Sequence, residues 1–140
     1  MKIALKLPKI LLMALLMMTS TFVVAGPDGN CTKGTETIAQ NNVLSNDGTL
    51  RLNAIVQKYI TICDGPEHAV VRLDVRVERV DGVPEVLFLE AKVIASDDQG
   101  KVVETNNDDV FSIRFRTYVA DEVSNLEVHV EGFDPFEFNF

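Results

Sequence analysis

Hydrophobic residues recur with period two along most of this chain, and one stretch sets the frame for the rest. In Glu85–Ser96, EVLFLEAKVIAS, the residues Leu87, Leu89, Ala91, Val93 and Ala95 share one face of an extended chain. Val86, Phe88, Glu90, Lys92, Ile94 and Ser96 share the other. One wholly apolar face and one half-apolar face predict a strand inside a sheet, covered on both sides. Ala69–Val80 alternates in the same way, with Val71, Leu73, Val75 and Val77 inward and Arg72, Asp74, Arg76 and Glu78 outward. In Val110–Val119 the period places Phe111, Ile113, Phe115 and Thr117 together, with Ser112, Arg114, Arg116 and Tyr118 opposite. After Ala120–Ser124, Leu126, Val128 and Val130 face in while Glu127, His129 and Glu131 face out, where Arg114 and Arg116 can meet those glutamates.

Turn residues separate these runs: Asp64-Gly65-Pro66, Asp81-Gly82-Val83-Pro84, Asp97-Asp98-Gln99-Gly100 and the polar Asn106–Asp109, with Lys101–Glu104 as a short return strand. If Asp81 faces Glu85 across a short loop, Arg76 lies opposite Glu90 and Asp74 opposite Lys92, a register that pairs opposite charges. Leu50–Cys63 fits two periods. Leu52, Ile55, Val56, Tyr59, Ile60 and Cys63 make a helical stripe, whereas Leu50, Leu52, Ala54, Val56, Ile60 and Ile62 make a strand face. The β-branched ending Ile60-Thr61-Ile62-Cys63 favours the strand. Short, regularly spaced strands predict an all-β, antiparallel, immunoglobulin-like β-sandwich over residues 50–140. The alternative is an α+β domain with one helix on an antiparallel meander. Gly26–Thr49, rich in Gly, Asn, Thr and Asp, is expected to be irregular or weakly paired.

The first 25 residues read differently. Lys2, Lys6 and Lys9 precede the uncharged run Ile10–Met18, and Val23-Val24-Ala25 before Gly26 is an A-x-A-like cleavage site. This is the pattern of a cleaved secretory signal peptide, with an apolar run shorter than the ~20 residues of a spanning helix. Cleavage would leave a periplasmic or extracellular chain starting at Gly26. Its formal charge would fall from −8 to −11, because three lysines leave and no carboxylate does. A surface this acidic disfavours nucleic acid and anionic membrane as partners. In an exported chain the two cysteines, Cys31 and Cys63, are expected to form a disulfide.

Candidate chemistry is sparse. His68 and His129 have no Ser or Cys nucleophile spaced to join them, and the sequence carries no zinc spacing, EF-hand loop or phosphate loop. In a simple meander, Asp64, Glu67, Asp97, Asp98, Asp121 and Glu122 gather at one end, as Ca²⁺ would require, but the other end is acidic too (Asp81, Glu85, Asp108, Asp109). No cofactor, metal or catalytic residue is therefore assigned.

The tail is the densest aromatic stretch. Phe136, Phe138 and Phe140 alternate with polar residues, so a strand would put three rings on one face. This ending resembles the terminal strand of bacterial outer-membrane barrels, although those need at least eight strands and this chain supplies about six. It is also similar to the C-terminal strand of chaperone–usher pilus subunits, without their penultimate Tyr. The second resemblance implies a surface fibre assembled by strand exchange.

Phe136, Phe138 and Phe140 are thus candidate binding residues. Val86, Phe88, Ile94 and Tyr118 join them as an apolar patch on an outer sheet face. The function expected is a non-enzymatic interaction domain that binds a protein or itself. The alternatives are a fibre subunit, or a small periplasmic inhibitor or accessory lipid binder.

Overall fold

The computed structural model describes the backbone of Thr21–Val24 and all of residues 31–140. The basic and apolar parts of the proposed signal peptide, and its cleavage site, lie outside the described residues. The chain runs β1 (Thr21–Val24), β2 (Cys31–Leu44), β3 (Leu50–Cys63), β4 (His68–Arg79), β5 (Glu90–Ser96), β6 (Val102–Asp109), a single helical turn α1 (Val110–Ile113), β7 (Phe115–Val119), β8 (Asn125–Val130) and β9 (Phe136–Asn139). Every strand pairing among the described residues is antiparallel. A five-stranded sheet in the order β1-β2-β3-β4-β7 faces a four-stranded sheet in the order β6-β5-β8-β9. The protein is an all-β sandwich. Among the described residues no helix is long and apolar enough to cross a membrane.

The core lies between the sheets and follows the period-two pattern. Leu52, Ala54 and Val56 of β3 and Val71, Leu73 and Val75 of β4 meet Ala91, Val93 and Ala95 of β5 and Leu126, Val128 and Val130 of β8. All are buried, while Arg76, Lys92 and Glu78 between them are exposed. Leu50–Cys63 is a strand along its whole length, paired residue for residue with β4 from Leu50↔Arg79 to Thr61↔His68. Helical spacing there loses because a helix would leave the ladder groups of both neighbours unpaired.

Four expectations change. Residues 31–44, expected to be irregular, form a 14-residue strand that pairs with β3 throughout, apart from a bulge between Thr37 and Ala39. Its polar composition is tolerated because only Ile38, Ala39 and Val43 pack against the core. The long strand expected from Glu85 begins only at Glu90, because the chain uses residues 80–89 to cross from the first sheet to the second. β4 and β5 are consequently not neighbours, and the Arg76–Glu90 and Asp74–Lys92 pairs do not form. Arg76 Nε instead lies 3.4 Å from Asp74 Oδ1 on its own strand. Asn106–Asp109 is the end of β6 rather than a turn.

The fourth change inverts a face. Val110 and Ile113, three residues apart, are buried by the helical turn α1, which Asp109 caps by accepting from Ser112 N (2.9 Å) and Ser112 Oγ (3.0 Å). Those bonds hold the Asp109 carboxyl below its ordinary range. The turn resets the phase of the strand that follows. Tyr118 points inward and is buried, while Phe115 is exposed. Because β7 lies beside β4 and β8 beside β5, Arg114 and Arg116 do not reach the β8 glutamates. Two arginines stack on Phe115 instead, Arg72 at 4.6 Å and Arg114 at 4.9 Å from the ring centre.

Candidate binding surface

The crossing between the sheets is where the chain breaks its own pattern. β4 ends at Arg79, and Asp81-Gly82 turns the chain, with Gly82 at φ 75°, a left-handed conformation that favours glycine. Asp81 Oδ1 accepts from Val83 N at 3.0 Å. The Arg79 guanidinium donates to Asp81 Oδ2 (2.6 Å) and Glu85 Oε2 (2.8 Å), gathering both carboxylates at the base of the loop. This contact, followed by the Val83 amide, lowers the Asp81 pKa, and the two carboxylates raise that of Arg79. Pro84 follows, which cannot donate to a ladder and disfavours a strand here.

Beyond Pro84 the side chains divide. Leu87 and Leu89 are half-buried, Leu89 packs on the core, and its carbonyl accepts from Val110 N at 3.0 Å. Val83, Val86 and Phe88 point away, with 54%, 65% and 82% of their surfaces exposed. A phenylalanine this exposed, beside two exposed valines, is the feature of the surface that burial does not account for. The loop is tied at its base by the Arg79 ion pairs and at its end by Leu89, which packs on the core.

Phe88 borders an open cleft of about 870 Å³ at the end of the second sheet. Its floor is the paired ends of β5 and β8, where Glu131 N donates to Glu90 O (2.9 Å) and Glu90 N to Glu131 Oε2 (3.1 Å). Glu90, Asp108, Asp109 and Glu131 line it, with Lys92 and His129 as the basic groups. His129 Nε2 lies 2.5 Å from Glu127 Oε1. No three His, Cys, Asp or Glu side chains among the described residues are grouped so as to hold a metal ion.

The residues singled out from sequence are dispersed by the fold. Val86 and Phe88 stand together on the crossing loop. Ile94 is half-buried on the outer face of the second sheet, between Thr105 and Glu127 in register. Tyr118 is an interior residue, 4% exposed, and not part of an outer patch. Phe138 is buried and Phe136 packs on the core, their rings edge to face at 5.5 Å, so the tail is the closing strand of the second sheet. Phe140 keeps 38% of its surface exposed. Cys31 and Cys63 are disulfide-bonded. The period-two pattern did not point to Val83, which it placed in the turn before Glu85, or to the cleft.

Tyr118 donates its phenolic proton to Asn106 Oδ1 at 3.0 Å, and Asn106 Nδ2 donates to Glu104 Oε1 at 2.7 Å. Burial, and then the Glu104 charge, push the Tyr118 pKa up from 10 to about 12. A raised tyrosine pKa means that folding favours the neutral form. The associated stability is whole below pH 10 and is lost as pH rises from 10 towards 12. Tyr118→Phe is expected to weaken this alkaline loss and to cost about 1–3 kcal/mol at neutral pH, by leaving Asn106 Oδ1 without a donor. Urea unfolding at pH 7 and pH 11 measures both effects.

Comparison with protein-family models, with curated proteins and with solved structures finds no match.

Proposed function

We propose that the protein is an exported, non-enzymatic interaction domain that binds another protein through the Val83–Phe88 loop and the adjoining acidic cleft. The observation that carries this reading is the exposure of Phe88 on a loop whose next residue, Leu89, packs against the core. An apolar projection beside carboxylates suits a partner that offers an apolar pocket next to a basic side chain. Export draws support from the N-terminal pattern and from the disulfide, which suits an oxidising compartment. We also read the sandwich as immunoglobulin-like, with β3, β4 and β7 facing β6, β5, β8 and β9 and crossovers of Greek-key type. The fold carries no function by itself.

The test is a Val86→Ser, Phe88→Ser double variant. Both side chains are mostly exposed, so its thermal midpoint is expected to stay within a few degrees of wild type. After cross-linking in the producing cell, the wild-type chain should migrate in a complex larger than itself and the variant as a monomer. A variant that keeps its complex, or one that unfolds, contradicts the assignment.

A further inference from the structure

Four residues just before the proposed cleavage site form β1, the outermost strand of the first sheet. The backbone pairs Thr21↔Thr35, Phe22↔Gly34, Val23↔Lys33 and Val24↔Thr32. If residues 1–25 are removed, as the export reading on which this inference rests requires, β1 goes with them. The β2 edge at Thr32–Thr35 then loses its neighbour. We propose that this edge is an acceptor site, at which the processed protein takes up an extended, uncharged, β-branched segment of a partner protein as an added antiparallel strand.

Three observations carry the proposal. β1 is seated on this edge, and what is seated reads Thr-Phe-Val-Val. The pairable stretch is bounded and held. Cys31–Cys63 bridges β2 to β3 immediately before it, with a Cα–Cα distance of 4.1 Å, and the Thr37/Ala39 bulge interrupts the regular ladder just after it. Between those limits β2 pairs regularly with β3 on its other side, so the incoming strand meets an edge already in register. Among the residues whose side chains are described, the fully buried core lies within residues 52–138, and of β2 only Ile38, Ala39 and Val43, all beyond the Thr32–Thr35 edge, pack against it.

Charge chooses among occupants. A second copy of the processed chain would bring another net charge of −11 to the edge, counted from the sequence without its first 25 residues. Like charge of that size opposes self-pairing. A short neutral strand escapes the penalty, gains main-chain hydrogen bonds along its length and leaves specificity to alternate side chains.

The experiment uses the processed chain, residues 26–140, oxidised, and a synthetic peptide with the sequence of residues 19–25, Thr-Ser-Thr-Phe-Val-Val-Ala. Amide hydrogen exchange is followed at Thr32–Thr35. Saturating peptide is expected to slow exchange there at least tenfold, while a peptide with Val23→Pro does not. Absence of slowing overturns the proposal, as does a processed chain that no longer folds. Protection without peptide that grows with protein concentration also overturns it, since the occupant would then be a second copy. The N-terminus of the protein recovered from the producing cell separates the two claims. A chain that still begins at Met1 defeats the export reading, whereas the peptide result judges the acceptor edge alone.

Discussion

Phe138→Ala is expected to remove about 3–5 kcal/mol from the stability of the domain, the cost typical of deleting a buried aromatic side chain. The ring is 5% exposed, sits opposite Leu126 in the β8–β9 ladder and packs edge to face on Phe136. The loss combines apolar surface returned to water with a cavity that the two sheets cannot close without moving together. Domains of this size hold some 5–15 kcal/mol in total, so one substitution brings the protein close to unfolding at 37 °C. Truncation after Gly132 goes further. It removes β9, exposes the edge of β8 and strips Phe136 and Phe138 from the core, and it is expected to abolish cooperative unfolding. Denaturant titration followed by circular dichroism distinguishes this from an interaction tail, whose removal would leave a folded monomer of ordinary stability.

Loss of the Cys31–Cys63 bridge is the second large effect. The two residues are partners in register at the open end of the β2–β3 hairpin, and the Ser45–Thr49 turn closes the opposite end. That turn is tightly held. Asp47 accepts from Ser45 Oγ (2.6 Å), Thr49 N (3.0 Å) and Thr49 Oγ1 (2.7 Å), which lowers its pKa to about 2. The bridge spans a separation of 32 residues, and closing a loop of that length in the unfolded chain corresponds to roughly 3–4 kcal/mol in the chain-entropy account. Reduction, or paired Cys31→Ser and Cys63→Ser substitution, should lower the unfolding free energy by about that amount. Amides at the open end, from Thr32 to Thr35 and at Ile62, should exchange faster while the Asp47 turn stays protected. A change below about 1 kcal/mol would mean that the ladder holds its own end without the bridge.

What could be read from the sequence follows from which residues carry a single unambiguous period. Val71, Leu73 and Val75 alternate with charged residues, and no other structure places them all inside. Leu126, Val128 and Val130 behave alike, and the disulfide followed from having two cysteines in a chain that reads as exported. The errors arose where two periods coexist. Ile113 belongs both to the even spacing with Phe111 and Phe115 and to the three-residue spacing with Val110. The helical turn won because Asp109 caps it through Ser112, and Tyr118 was thereby turned inward. In Glu85–Leu89 the alternation is real, since Leu87 and Leu89 do face in. The chain is nonetheless leaving one sheet for the other, and no neighbouring strand is present to pair with it. β2 was hidden because Thr, Gly and Asn carry little apolar signal, and a strand that buries only part of one face needs little.

Among the candidate binding residues, the same logic separates the tail from the loop. Three alternating phenylalanines look alike in sequence, yet Phe138 is sealed by β8 while Phe140 lies past the end of β9. Phe88 and Val86 stay exposed because the crossing loop has only one buried side.

Site-specific photo-cross-linking reports whether the crossing loop or the tail meets a partner. A photoreactive phenylalanine analogue is placed at position 88 in one protein and at position 140 in another, and both are irradiated in the producing cell. A discrete adduct of defined mass is expected from position 88, suppressed by Val86→Ser, and none of that mass from position 140. An adduct from position 140 with none from position 88 would contradict that expectation, and would return the binding surface to the aromatic tail.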